Sequence, residues 1–297
     1  MELYKNEEGY LKLLLDTLNN GEKKITRNGT VLSQFGISIA FNNINKSFPL
    51  LTTKKVFFRG VVEELLWFLK GSTNAKELQD KNIHIWDGNS SRDYLDSIGL
   101  VNYKEGELGP VYGHQWRNFN GTYHIIEKNG VDQVAYVIDE LRKNNNSRRA
   151  VLSAWNPSQL NEMALPPCHL MYNFYKNSKG LSCMMTMRSS DLFLGMPFNI
   201  ASTALLTYII AKILHIEPNN ILITSNDAHI YEEHIASVLT QTTERDIYKL
   251  PKLKINIDAP PIDSDIKIIM KWIENLKYEN FELNDYKCHD TIKTIMK

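Results

Sequence analysis

The sequence predicts a mixed α/β fold of the α+β kind, built as one domain over residues 1–297, and three observations carry that expectation. Stretches with apolar residues at helical spacing alternate along the chain with short runs of period-two polarity, so helices and strands interleave. With 43% hydrophobic residues among 297, the chain can bury a substantial core. No internal repeat or low-complexity linker divides it.

Glu7 to Leu18 place Tyr10, Leu11, Leu14, Leu15 and Leu18 on one face, predicting a first amphipathic helix. ITRNGTVLSQFG reads as a Gly-containing turn entering a strand, and such a turn can offer backbone N–H groups and Arg27 to a phosphate. The following ISIAFNN alternates like a half-exposed strand before Pro49. VVEELLWFLKG then reads as an apolar helix closed by Gly71. Within it, Glu64 either faces water or sits among Val61, Leu65 and Trp67, where desolvation would raise its pKa and suit it to shuttling protons.

NIHIWDGNSSRDYLDSIGL is turn-rich, and its Trp86, Asp87 and Asn89 suit either a flat ligand or a loop core with local turns. ELGPVYGHQWRNF, punctuated by Gly–Pro and Tyr–Gly, predicts an ordered loop carrying Tyr112. GVDQVAYVIDELRKN supplies Val131, Val134, Val137, Ile138 and Leu141 to another amphipathic helix. SRRAVLSAWNP predicts a strand beginning at Arg148 and Arg149, whose side chains would then point to opposite faces.

IASTALLTYIIAKIL predicts a long apolar core helix, interrupted by Lys212 short of membrane length. SNDAHIYEEH, if extended, puts His229 and Tyr231 on one face. A zinc site at His229 and His234 would lack a third ligand nearby, so no metal is expected. LPKLKINI and IKIIMKWI predict a late strand and helix.

The 34 basic residues balance 34 acidic ones, so nothing global draws the chain to nucleic acid or an anionic membrane, and any anion site must be local. Cys168, Cys183 and Cys288 are too few and scattered for a disulfide framework, which fits a reducing compartment. The acidic N-terminus carries no apolar run with a cleavage site, and no segment holds eighteen consecutive apolar residues. A soluble cytoplasmic or nuclear protein is expected.

The densest chemistry lies between Ala164 and Ala201. Cys168 follows two prolines that stiffen its approach, and His169 comes directly after it, as expected of a nucleophile held in place. Arg188, Ser189, Asp191 and Asn199 add a cation, a hydroxyl, a carboxylate and an amide, a set that suits an anionic nucleotide. Arg188 is expected to lower the thiol pKa. A buried, inert cysteine is the competing reading.

PPCH followed by RSSDLFLGMPFNIA, together with EELLWFLKGSTNAKEL and the IWD-x-N-x-SRD-x-LDS-x-G run, resembles the thymidylate synthase family, and the likeness extends from about Leu11 to Met296. The resemblance implies a large mixed β-sheet covered by helices and a sheet-mediated homodimer. It implies reductive methylation of dUMP to dTMP, with 5,10-methylenetetrahydrofolate donating carbon and hydride and no metal. Cys168 would add to uracil C6, Glu64 would move protons, and Tyr112 and His169 would flank the nucleophile. Arg27, Arg188 and Ser189 would hold the phosphate, joined by Arg148 and Arg149 from the partner chain. Asn199 would read the uracil carbonyl and ring N–H, a donor–acceptor pair that cytosine does not match. His229 and Tyr231 would hold the sugar, and Asp191 would serve nucleotide and pterin. Trp86, Asn89, Leu194, Gly195, Phe198 and Met296 would line the folate site.

Relatives in the same family hydroxymethylate a pyrimidine instead, letting water rather than hydride finish the reaction. An inactive nucleotide-binding paralogue and an RNA-binding module are more distant readings, opposed by intact Cys168, Glu64 and Asn199 and by the neutral charge. The chain departs from the family pattern in a shorter, less glycine-rich loop at Arg27, in Asn173 and Met187 where glutamine is usual, and in Asn226 where glycine is usual. It ends Met296-Lys297 in place of an apolar tail, which would leave the lid over the folate leaky. These departures bear on closure and substrate register.

Overall fold

A seven-stranded mixed sheet is the centre of the computed structural model, which describes residues 2–125 and 129–294. In chain order the elements begin with β1 (Leu3–Lys5), α1 (Asn6–Asn20), β2 (Glu22–Thr26), β3 (Gly29–Phe41) and α2 (Phe58–Leu69). The short helices α3 (Lys76–Gln79), α4 (Asp87–Ser90), α5 (Arg92–Ser97) and α6 (Tyr112–Asn118) precede α7 (Gln133–Lys143). Then come β4 (Val151–Ser153), β5 (His169–Asn177), β6 (Gly180–Asp191), α8 (Gly195–Ile213) and β7 (Pro218–Tyr231). The chain continues through α9 (Ile235–Thr243), β8 (Lys252–Ile255), α10 (Ile266–Asn275) and β9 (Phe281–Asn284).

Strand order in the large sheet is β1-β3-β7-β6-β5-β4, with β2 pairing β3, while β8 and β9 form a separate pair. β7 runs antiparallel to β3 and parallel to β6, so the sheet is mixed, as the family resemblance implied. The β6–β7 crossover is α8, which packs against both strands and α2. Buried on nearly every side, α8 has no polar face to present to water. It is long and apolar enough to cross a membrane, yet 83% of its apolar window is buried inside this fold. It begins at Gly195, earlier than the apolar run suggested, and so carries Phe198 and Asn199 in its first turns.

Two segments differ from expectation. The stretch read as a loop around Tyr112 is helical: Gly109, at φ +76, and Pro110 make the turn, and Tyr112 then starts α6. The strand expected from Arg148 begins only at Val151. Both arginines lie exposed in the turn before it, so strand alternation does not send their side chains to opposite faces.

β2 and β3 form a hairpin whose turn is Arg27–Asn28, closed by Gly29 at φ +136. Further along, Phe35 pairs with Asp227 and Ile37 with Ser225, so Gly36, at φ +69, and Asn226 stand opposite each other with the register unbroken.

Long-range polar contacts tie the periphery to the core. Glu7 on α1 is buried and accepts the Thr52 and Thr53 N–H groups at 2.7 and 2.8 Å and their hydroxyls at 2.9 and 2.8 Å. Burial pushes its carboxyl pKa up, against the pull of these four bonds. The C-terminal segment straps onto the same stretch: the Tyr286 hydroxyl donates to the Leu51 carbonyl at 2.8 Å, and Arg245 donates to the carbonyls of Thr53 and Asp290. Met296 and Lys297 lie outside the described residues.

Candidate active site

The loop between Ala164 and β5 presents Cys168, and three contacts hold it there. Its backbone N–H donates to the Tyr112 hydroxyl at 2.7 Å, and its carbonyl accepts the Arg188 N–H at 2.9 Å. The Arg188 guanidinium donates to the carbonyls of Pro166 and Pro167, both at 2.8 Å, and approaches the Cys168 sulfur at 3.7 Å. A proline has no N–H to tie its loop to neighbours, so a fork of donors on its carbonyls is an effective clamp. The electrostatics differ from the simplest expectation: burial raises the Cys168 pKa, and Arg188 only partly opposes it. The resting group is a thiol, with its activating cation already in place.

His169 opens β5 and stacks on Tyr112 with ring centroids 4.0 Å apart. Burial pushes its pKa down to about 3. The ring is thus neutral at physiological pH and supplies no charge to the thiol; Arg188 is the cation there. Burial also holds the Tyr112 hydroxyl well above its ordinary pKa, so Tyr112 remains a neutral hydrogen-bonding group.

Glu64 lies on α2, where a strongly apolar helix carries one carboxylate inward. It is half-buried rather than facing water, and it accepts the Trp86 indole N–H at 2.8 Å. Burial raises its pKa to about 7 and outweighs that hydrogen bond. Trp86 packs at 6.0 Å from Tyr112, which in turn holds Cys168, so acid and thiol belong to one site. The next residue toward the N-terminus, Glu63, is buried too, but is ion-paired with Lys81 at 2.6 Å. Asn89 sits half-buried on α4, next to this wall.

A second group gathers at the ends of β6 and β7. A cleft of about 200 Å³ is lined by Arg27, Asn28, Ser189, Asp227, His229 and Tyr231, among others. The hairpin turn and two adjacent strands thus bring together four of the residues expected around the nucleotide phosphate and sugar. His229 and Tyr231 share a strand face and meet edge to face at 5.3 Å. Asp191 ends β6, and its Oδ1 accepts the N–H groups of Phe193 and Leu194 at 2.8 and 3.1 Å, ordering the entry to α8. Asn199 Oδ1 and the Asp191 Cβ both lie 3.8 Å from where a Cβ on Gly195 would sit, so the three residues meet at the start of α8.

Beside these is an apolar cavity of about 360 Å³ lined by Lys54, Phe57, Leu194, Pro197, Phe198 and Ile292, with Lys55, Val56 and Thr291. Leu194 and Phe198, two of the residues expected at the folate, thus line one cavity, and the C-terminal segment forms one wall. Lys54 was missed from the sequence. It is buried, donates to the Phe193 carbonyl and lies 3.5 Å from the centroid of the Phe193 ring. Desolvation lowers its pKa to about 7, partly opposed by Asp191. Nothing in TTKK distinguishes this lysine from its neighbour.

Arg148 and Arg149 do not line the cleft that holds Arg27, Ser189, His229 and Tyr231. Arg148 instead borders a cavity of about 750 Å³ over β3, β5, β6 and β7, larger than either cleft and lined partly by Asn173, Phe174 and Met184. Met187 is buried between the flanking strands, pairing with His169 and Ser225.

The family model described as thymidylate synthase matches residues 8–297. A bifunctional dihydrofolate reductase-thymidylate synthase from Zea mays is 50% identical over 276 residues, covering 89% of this chain and 52% of the relative. A protein of the same name from Arabidopsis thaliana, numbered 1, is 47% identical over 296 residues, covering 97% and 54%. Thymidylate synthase from Homo sapiens is 47% identical over 292 residues, covering 97% of this chain and 89% of that one. The chain spans about half the length of the bifunctional relatives. Matched over nearly its whole length, the chain belongs to the thymidylate synthase family.

Proposed function

We propose that residues 1–297 act as one catalytic domain that converts dUMP to dTMP with 5,10-methylenetetrahydrofolate. The observation that carries this reading is the Tyr112 bridge, which joins a clamped thiol to the wall holding a carboxyl with pKa about 7. The family match and the relatives named thymidylate synthase support it.

In the proposed mechanism the Cys168 sulfur forms a bond to uracil C6 as its proton leaves, and the ring π pair moves onto C5 and the C4 carbonyl. Arg188, 3.7 Å from the sulfur, stabilises the developing thiolate. Glu64, poised near neutrality, gives and takes protons at the C4 oxygen and C5. Asn199 hydrogen-bonds the uracil edge, and Arg27, Ser189, His229 and Tyr231 hold phosphate and sugar. The folate supplies the one-carbon unit and then a hydride, leaving as dihydrofolate. The sulfur–C6 bond breaks and returns the thiol.

The apolar cavity suits such a co-substrate: Phe57, Phe198 and Leu194 can cover a flat ring, and the exposed Lys55 offers a cation to its carboxylates. Trp86, Asn89 and Asp191 would complete that site. Incubation with dUMP and methylenetetrahydrofolate, followed by mass spectrometry, should yield the methyl product; a hydroxymethyl product would mean that water finishes the reaction. Asn199→Asp should lower the dUMP-over-dCMP preference about tenfold or more, since the amide's donor–acceptor pair is lost. An unchanged ratio of kcat/KM values would assign base reading elsewhere.

We further infer a homodimer built on the sheet, in which Arg148 and Arg149 reach the partner's phosphate. Both arginines are exposed and outside their own nucleotide cleft, while Phe35 and Tyr175 are exposed at 82% and 61% on the sheet's strands. Arg forks suit phosphate. Inactive Arg149→Ala and Cys168→Ser chains should then recover activity when mixed and allowed to exchange. Exchange without recovery would place the arginines in their own chain's site or away from phosphate.

A further inference from the structure

The cleft near the phosphate end contains a carboxylate that the nucleotide does not need: Asp227 would repel a phosphate, yet it lines the same space as Arg27, Ser189, His229 and Tyr231. Its Oδ1 lies 3.0 Å from His229 Nδ1. The two residues are two apart on β7, so their side chains share a face, and Tyr231 continues it. β7 sits between β3 and β6, with Asp227 opposite Phe35 on one side and Ser189 on the other, which leaves the backbone little freedom to part the pair. The His229 side chain is only 12% exposed, against 37% for Asp227, so the imidazole is the held partner.

A carboxylate can only accept, so the hydrogen in this contact must be on Nδ1. In the neutral ring that leaves Nε2 as a lone-pair acceptor. We propose that Asp227 is a positioning residue that fixes the His229 tautomer and orientation, so that the histidine accepts a hydrogen bond from a free hydroxyl on the nucleotide sugar. This rests on the proposed role of His229 and Tyr231 at the sugar. It makes the site selective for a hydroxyl in that place, because a nucleotide lacking it leaves the Nε2 lone pair unmatched.

The test compares dUMP with its 3′-deoxy analogue in the full-length enzyme, using Asp227→Ala, His229→Ala and the double variant. Asp227→Ala should lower kcat/KM for dUMP about tenfold, mainly through KM, and leave the analogue near its parent value. In the His229→Ala background it should add nothing. Asp227→Asn, which keeps the size of the side chain, guards against a folding defect and should fall between. Ring-nitrogen NMR of His229 should show the Nδ1–H tautomer in the parent and a loss of that preference in Asp227→Ala. Equal losses for both nucleotides in Asp227→Ala, with His229→Ala still selective, would overturn the inference alone. Equal losses in His229→Ala as well would overturn the sugar assignment and the inference with it.

Discussion

Cys168→Ser should bind dUMP with nearly the parent affinity and turn over slower by roughly 10⁴-fold or more, the scale of removing a covalent nucleophile. The hydroxyl is a far poorer nucleophile at neutral pH than a thiol that can ionise. The clamp would survive the change, because Tyr112 and Arg188 hold the backbone of residue 168 and the two proline carbonyls rather than relying on the sulfur. Binding by calorimetry and single-turnover kinetics separate the two effects. Residual turnover within tenfold of the parent would remove Cys168 from the chemistry.

Glu64→Gln should cost about 10²- to 10⁴-fold in kcat, the usual range for a positioned acid–base group, while the Trp86 N–H keeps an oxygen acceptor. The same change should stabilise the protein at high pH. The folded pKa of Glu64 is raised from 4.5 to about 7, so between those values the folded chain binds more protons than the unfolded one. Stability therefore falls as pH rises through that window, and the loss is complete above about 7. Glutamine does not ionise, so the variant should exceed the parent by on the order of 2 kcal/mol at pH 8 and match it near pH 4. Denaturant melts at the two pH values check this. Equal stability at pH 8 would show that the carboxyl is solvated.

Much of this architecture was legible because it is local. The apolar run after Asn199 could only be a core helix, and the spacing of His229 and Tyr231 placed them on one strand face as soon as the stretch was read as extended. The half-buried setting of Glu64 was only partly legible, since its apolar neighbours on the same helix allowed it without excluding a carboxylate facing water. The contacts between distant segments were not. Glu7 lies 45 residues from Thr52, and Arg188 reaches back 21 and 22 residues to Pro167 and Pro166; neither pairing has a periodic signature. Lys54 is buried only because the Phe193 carbonyl and ring close over it. The helix at Tyr112 was hidden by Gly109 and Pro110, whose turn signal describes the residues before the helix and not the helix itself. Asp227 was within reach, since it stands at the same two-residue spacing from His229 that drew Tyr231 into the site.

The proposed reaction passes through a covalent bond between Cys168 and the pyrimidine, and that bond can be detected directly. Acid quenching of the enzyme during turnover of dUMP with methylenetetrahydrofolate, followed by peptide mapping, should place a nucleotide-sized mass increment on the peptide containing Cys168. The increment should vanish in Cys168→Ser. Product formation with no increment on that peptide, or an increment on the peptide of Cys183 or Cys288, would contradict the mechanism.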